Sequence, residues 1–149
     1  MSATAAQGFR AIGLAAGIKA SGKPDIALLV NDGPKDAAAA VFTSNRFPAA
    51  PILWSRQALA DRTARAVIVN SGGANACTGP QGFSDSHEMA ERTAEALQAT
   101  GLDGGAGEVV VFSTGLIGEL LPMDKVRVGI YACAGSLSTD GGEAERPRS

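Results

Sequence analysis

An α/β (α+β) fold is what this sequence predicts, on three observations. Short, largely apolar runs fit for buried strands alternate with segments of helical period. Nineteen Gly and abundant Ala stand against one Trp, one Tyr and five Phe, a composition for close backbone packing and many turns rather than large aromatic anchors. At 149 residues and 45% hydrophobic content, the chain can form one domain that buries roughly two thirds of its unfolded surface.

In chain order, Asp25 to Val30 (DIALLV) reads as a strand buried on both faces, and Ala38 to Thr43 (AAAVFT) is a further strand candidate. Ser55 to Ala64 reads as a short helix with Ser55 as its N-cap. Arg65 to Asn70 (RAVIVN) is again a strand. Asp85 to Thr100 carries the markers of a longer helix: Asp85 as cap, Glu88 three residues on as in a capping box, and Gly101 at the stop. Met89, Thr93 and Leu97 then face the core. Val109 to Ser113 (VVVFS) is the most apolar strand. A last helix starts at Pro122, where proline suits the first turn, with Met123, Val126, Ile130, Ala134 and Leu137 along one face. Beyond Leu137 the chain turns polar, so residues 138–149 read as a mobile tail.

The formal charge of −2 leaves no electrostatic footprint for nucleic acid. Residues 1–65 hold eight Lys/Arg and four Asp/Glu, and the remainder five and eleven, without a block of like charge in either part. No apolar run approaches the ~20 residues that span a bilayer, and the N-terminus has no charged region followed by an apolar core, so a cytoplasmic protein is the expectation. Cys77 and Cys133, far apart and without metal-ligand spacing, read as small, buried, reduced thiols.

Three motifs carry possible chemistry. Gly17 to Lys23 (GIKASGK) fits the spacing of a phosphate-binding loop, but Pro24 stands where the loop needs a hydroxyl and the preceding AIGLAA is a poor strand, so a lysine-tipped turn is the reading. Asn70 to Gly79 (NSGGANACTG) links a strand to a helix through glycines that allow close backbone approach and side chains that brace a loop; as structure or as ligand contact it reads equally well. Ser113, Thr114 and Gly115 follow a strand. Freed N–H groups beside a hydroxyl and a glycine suit a developing oxyanion, and equally a turn braced by its own side chains. His87, the one histidine, lies in the first turn of a polar helix with no nucleophile motif pointing to it.

These segments, taken in order, resemble the ornithine acetyltransferase family, the bifunctional glutamate N-acetyltransferases of arginine biosynthesis. The matching pieces are QGFRAIGLAAGIKASGKPDIALLV (Gln7 to Val30), AVFTSNRFPAAPILWSR (Ala40 to Arg56), ARAVIVNSGGANACTG (Ala64 to Gly79) and FSTGLIGELLPMDKV (Phe112 to Val126). Gly73 departs from the pattern, which more often has Asn there. The resemblance implies mixed sheets sandwiched by helices, as in the ornithine acetyltransferase / L-aminopeptidase-esterase superfamily. It also implies a precursor that cuts itself before a threonine, which becomes the nucleophile of a β chain, with this sequence similar to most of the preceding α chain (residues 1–137) in an α2β2 heterotetramer.

The activity so implied is acetyl transfer from N-acetylornithine, or from acetyl-CoA as co-substrate, to glutamate through an acetyl-threonine. No metal or other cofactor takes part, and an N-terminal threonine with its own α-amine as base needs no histidine. By the same resemblance Thr114 and Gly115 form the oxyanion hole. The family's nucleophile segment falls beyond this sequence, so the expectation is a truncated or frame-shifted product inactive alone. The alternative is a non-catalytic binding or regulatory module that associates with a complete homologue.

Overall fold

The computed structural model describes residues 3–139. Four strands, β1 (Phe9–Leu14), β2 (Ile26–Asn31), β3 (Ala66–Gly73) and β4 (Val109–Leu116), form one mixed sheet in the order β1-β2-β3-β4. The first three run antiparallel in sequence, and β4 lies parallel to β3. Three helices accompany it: α1 (Ala50–Ala58), α2 (Gly79–Gln98) and α3 (Met123–Gly135). The long α2 provides the crossover that a parallel β3-β4 pair requires.

The register places Ile12, Leu28, Ile68 and Val111 in one row across the sheet, each buried. Met89 and Leu97 of α2 and Val126, Ile130 and Cys133 of α3 pack into the same core. Gly129 lets α3 lie close, since a Cβ there would stand 2.7 Å from the Cβ of Ala16 and 3.1 Å from Ile26. The opposite face, with exposed Ala27 and half-buried Leu29, Val67, Val69 and Phe112, stays partly open. The expectation that β2 and β3 are buried on both faces is therefore corrected: their core residues come from one face, so dry positions alternate with open or half-buried ones, whereas in β4 Val110 is buried on the other face too.

Other elements shift as well. β1 lies where the sequence reads as a poor strand; its pairing with β2 over six register partners outweighs its small residues. Residues 38–43 form no strand, with Val41 fully exposed, and only Ala37 bridges to Thr63. Helix α1 begins five residues before Ser55, which is buried mid-helix rather than a cap. Helix α2 begins at Gly79 with Pro80 in its first turn, so Asp85 lies inside it and accepts from the side chain of Gln81 at 2.8 Å. Its end follows expectation, with Gly101 left-handed at φ 90. Pro122 occupies the N-cap of α3, and Leu137 packs against the core just past the helix. Ser138 bridges to Ala11 of β1, and residues 140–149 of the expected tail lie outside the described residues.

Glu88, rather than closing a capping box, joins α2 to α3. Arg127 donates to both its oxygens, at 2.7 and 3.0 Å, and Arg92 approaches at 3.5 Å. The Arg127 hydrogen bonds, against a smaller opposing effect of burial, hold the Glu88 carboxyl below its usual 4.5. A depressed carboxyl pKa adds stability above the unfolded value and loses it as pH falls through the folded one. Arg127→Ala is therefore expected to lower the melting temperature at pH 7, with the gap to wild type closing below about pH 4.5. A gap constant from pH 7 to pH 3 would exclude this ion pair as its source.

Candidate functional site

The conspicuous feature lies where β3 and β4 end side by side. Their parallel register runs Asn70 with Ser113, Ser71 with Thr114 and Gly72 with Gly115, and then becomes irregular: Gly73 pairs with both Thr114 and Leu116. The strand expected over Val109 to Ser113 thus continues to Leu116, and Thr114 and Gly115 belong to it rather than to a turn following it. Neighbouring β3 keeps supplying partners past the apolar run, so the ladder extends through residues that alone favour turns.

Gly115 and Gly72 have φ of 134 and 113, conformations that favour glycine. A Cβ on Gly115 would stand 2.5 Å from the carbonyl carbon of Gly72 and 2.7 Å from the nitrogen of Gly73. The two backbones touch, and only glycine permits it. Gly73 differs: a Cβ there would meet the Cδ2 of Leu121 at 2.8 Å, the end of a flexible side chain.

Three supports surround this contact. From the β1-β2 connection, the buried carboxylate of Asp25 accepts from the N–H groups of Ala16 (2.7 Å) and Lys19 (2.9 Å). That lays Ile18 and Lys19 over Gly72, each 3.0 Å from where its Cβ would be. The GIKASGK stretch is therefore a packed hairpin connection; a strand does precede it, but a second strand and not a helix follows.

The second support is the 74–79 loop. Buried Asn75, at φ 50, donates to the Gly82 carbonyl (2.7 Å) and to Ser86 Oγ (3.0 Å), and accepts from Thr78 Oγ1 (2.7 Å). The loop is thereby bound to the first turns of α2. Cys77 is exposed at φ 57 rather than buried, because this left-handed bend turns it outward.

Helix α1 is the third. Trp54 Nε1 donates to the Val109 carbonyl (3.0 Å), while Ser55 Oγ both donates to the Val111 carbonyl (2.8 Å) and accepts from the Val111 N–H (3.0 Å). These side chains close the edge of β4 that faces away from β3. By strand alternation Ser113 and the Gly115 N–H lie on that same edge, past the residues that α1 closes. Thr114 and Gly115 are exposed. An N–H at an open edge beside an exposed hydroxyl is an arrangement able to receive negative charge on oxygen.

Other candidates fall away from this place. His87 is exposed, stacks on Trp54 (ring centroids 4.7 Å apart) and approaches Glu91 at 3.4 Å. Cys133 is buried as expected, and burial pushes its thiol up to about 12, which leaves no thiolate near neutral pH. Among the described residues no group of three or more His, Cys, Asp or Glu is placed to hold a metal, and no helix is long and apolar enough to cross a membrane.

What sequence reasoning missed is the bracing: Ser55 on Val111, Asn75 on α2 and Asn70 on Ser113. Each joins positions distant in the chain or hidden in a loop. Of these residues the sequence marks Asn70 and Asn75, together with Ser71, as side chains that hold the 70–79 loop, but not their partners.

Comparison with known proteins places these features in a family. The model of the ArgJ family matches residues 10–146. The arginine biosynthesis bifunctional protein ArgJ of Streptomyces coelicolor is 61% identical over 143 residues, which cover 96% of this chain and 36% of that protein. That of Mycobacterium tuberculosis strain H37Rv is 61% identical over 127 residues, covering 85% and 31%. This chain thus spans about a third of the length of the curated relatives it matches. Among solved structures, ornithine acetyltransferase complexed with ornithine from Mycobacterium tuberculosis superposes with a TM-score of 0.94 at 55% identity, over 95% of this chain and 75% of that one. ArgJ from Bacillus halodurans does so with a TM-score of 0.83 at 36% identity, over 95% and 71%. The chain belongs to the ArgJ family.

Proposed function

We propose that this chain supplies the oxyanion-holding part of a glutamate N-acetyltransferase of arginine biosynthesis. A threonine from the remaining length of a family member attacks the acetyl carbonyl of N-acetylornithine. The carbonyl oxygen gains charge, and the Thr114 hydroxyl and Gly115 N–H donate to it. Ornithine leaves as the amine, and the amine of glutamate then takes the acetyl group from the threonine ester. Acetyl-CoA serves as an alternative donor, and no metal or resident cofactor is required. The threonine is exposed by self-cleavage of the precursor, and the pieces assemble as a cytoplasmic α2β2 heterotetramer.

The observation that carries the reading is the Gly72 to Gly115 contact, which fixes a glycine N–H and an exposed threonine at an open strand edge. The ornithine-bound mycobacterial relative supports it. The test is a hybrid precursor in which this chain replaces the matching 36% of the Streptomyces coelicolor relative. The hybrid is expected to exchange acetyl groups between N-acetylornithine and glutamate. Thr114→Ala in it is expected to lower kcat roughly 100- to 1,000-fold with little change in KM. Unchanged turnover would refute the role of Thr114.

A second reading is favoured by Leu116, Ile117 and Leu120, which stand 61%, 69% and 54% exposed beside the site. In it the chain is a non-catalytic module that binds a complete homologue through this apolar run. An inactive hybrid, together with co-purification of the intact chain with a complete homologue, would select that reading.

A further inference from the structure

Asn70 is fully buried, and its carboxamide bonds to both strands that frame the glycine contact. Nδ2 donates to the Gly73 carbonyl at 3.1 Å, while Oδ1 accepts from Ser113 Oγ at 2.6 Å. In the register Asn70 stands opposite Ser113, one step before Ser71 and Thr114 and two before Gly72 and Gly115. Deeper rows of the same face, Ile68 with Val111 and Ala66 with Val109, are joined by apolar residues alone.

An apolar pair would serve the core equally well at the Asn70 row, since exchanging both members of a buried hydrogen bond for apolar groups costs little. It could not hold the Gly73 carbonyl. That carbonyl belongs to the irregular step at which β3 pairs with both Thr114 and Leu116, and such irregularities re-aim the groups beside them. One amide thus restrains β3 just after Gly72 and β4 just before Thr114.

We propose that Asn70 is a positioning residue for acetyl transfer: through Ser113 and Gly73 it sets where the Thr114 hydroxyl and the Gly115 N–H meet the developing oxyanion. This rests on the oxyanion role proposed above. Asn70 touches no substrate and acts by geometry, and a displacement of about 1 Å at a reacting centre can cost on the order of 100-fold.

The test uses the hybrid precursor with Ser113→Ala, Ser113→Thr and Asn70→Asp, the last keeping shape and acceptor but not the donor to Gly73. Ser113→Ala is expected to lower kcat about tenfold and Asn70→Asp by up to about 100-fold, both with KM held within about twofold, and Ser113→Thr to restore turnover. If Thr114→Ala lowers kcat while Ser113→Ala and Asn70→Asp do not, the positioning role is overturned and the oxyanion reading stands. If Thr114→Ala is also without effect, both fall. A loss of kcat that merely follows a fallen melting temperature and is not restored by Ser113→Thr overturns it too. In the 149-residue chain itself, Asn70→Asp is expected to move the backbone amide resonances of Gly73, Thr114 and Gly115 while leaving Val67 in place. Unmoved resonances at those three positions would end the proposal.

Discussion

Gly115→Ala is expected to destabilise the chain by roughly 3 kcal/mol or more, combining a left-handed backbone conformation unsuited to alanine with the displacement of a packed neighbour. The methyl would sit 2.5 Å from the carbonyl carbon of Gly72 and 2.8 Å from its oxygen. Backbone on both sides leaves no flexible end to yield. Gly73→Ala provides the internal comparison: it lacks a left-handed φ, and the atom in its way is the tip of Leu121. Urea unfolding of the two variants should show a much lower midpoint for Gly115→Ala at unchanged slope. Equal midpoints would mean that β3 and β4 do not touch as described. In the hybrid enzyme Gly115→Ala should abolish turnover even where folding is rescued by lower temperature, because the N–H moves with the displaced strand.

That contact also marks where sequence reasoning stops. The apolar cores of β3 and β4 announce themselves, because a run such as VVVF has no other comfortable place than a buried strand. Their continuation through Ser71-Gly72-Gly73 and Thr114-Gly115-Leu116 does not, since serine, threonine and glycine favour turns until a neighbouring strand supplies the ladder. The same limit moves both misplaced helix starts. Helix α1 begins at Ala50 without a side-chain cap, and Ser55, which looks like a cap, bonds instead to a strand 56 residues away. Helix α2 takes in Gly79 to Ser84, loop-like residues held by Asn75 from outside the helix. The oxyanion role proposed for Thr114 and Gly115 comes only from the ordered set of motifs, because three residues reading STG carry no such information alone.

Ser55→Ala tests the remaining support of the site, the closed edge of β4. One hydroxyl satisfies both the N–H and the carbonyl of Val111, and all the groups involved are buried. Removing it leaves two buried backbone groups without partners, at about 1 to 3 kcal/mol for each, so a loss of roughly 2 to 6 kcal/mol is expected. The methyl of alanine fits the space, which assigns the loss to hydrogen bonding rather than packing. Ser55→Thr keeps the hydroxyl and should recover part of it, less whatever its extra methyl costs in a closed environment. Amide exchange locates the effect: the Val111 N–H should exchange faster in Ser55→Ala, while that of Val110, which bonds to β3 on the other side, changes only by the global loss of stability. A loss below about 0.5 kcal/mol with unaltered Val111 protection would show that water reaches this edge and that α1 does not seal it. An edge sealed at Val109 and Val111 and open from Ser113 onward leaves the end of the strand as the place along β4 where the proposed oxyanion can be received.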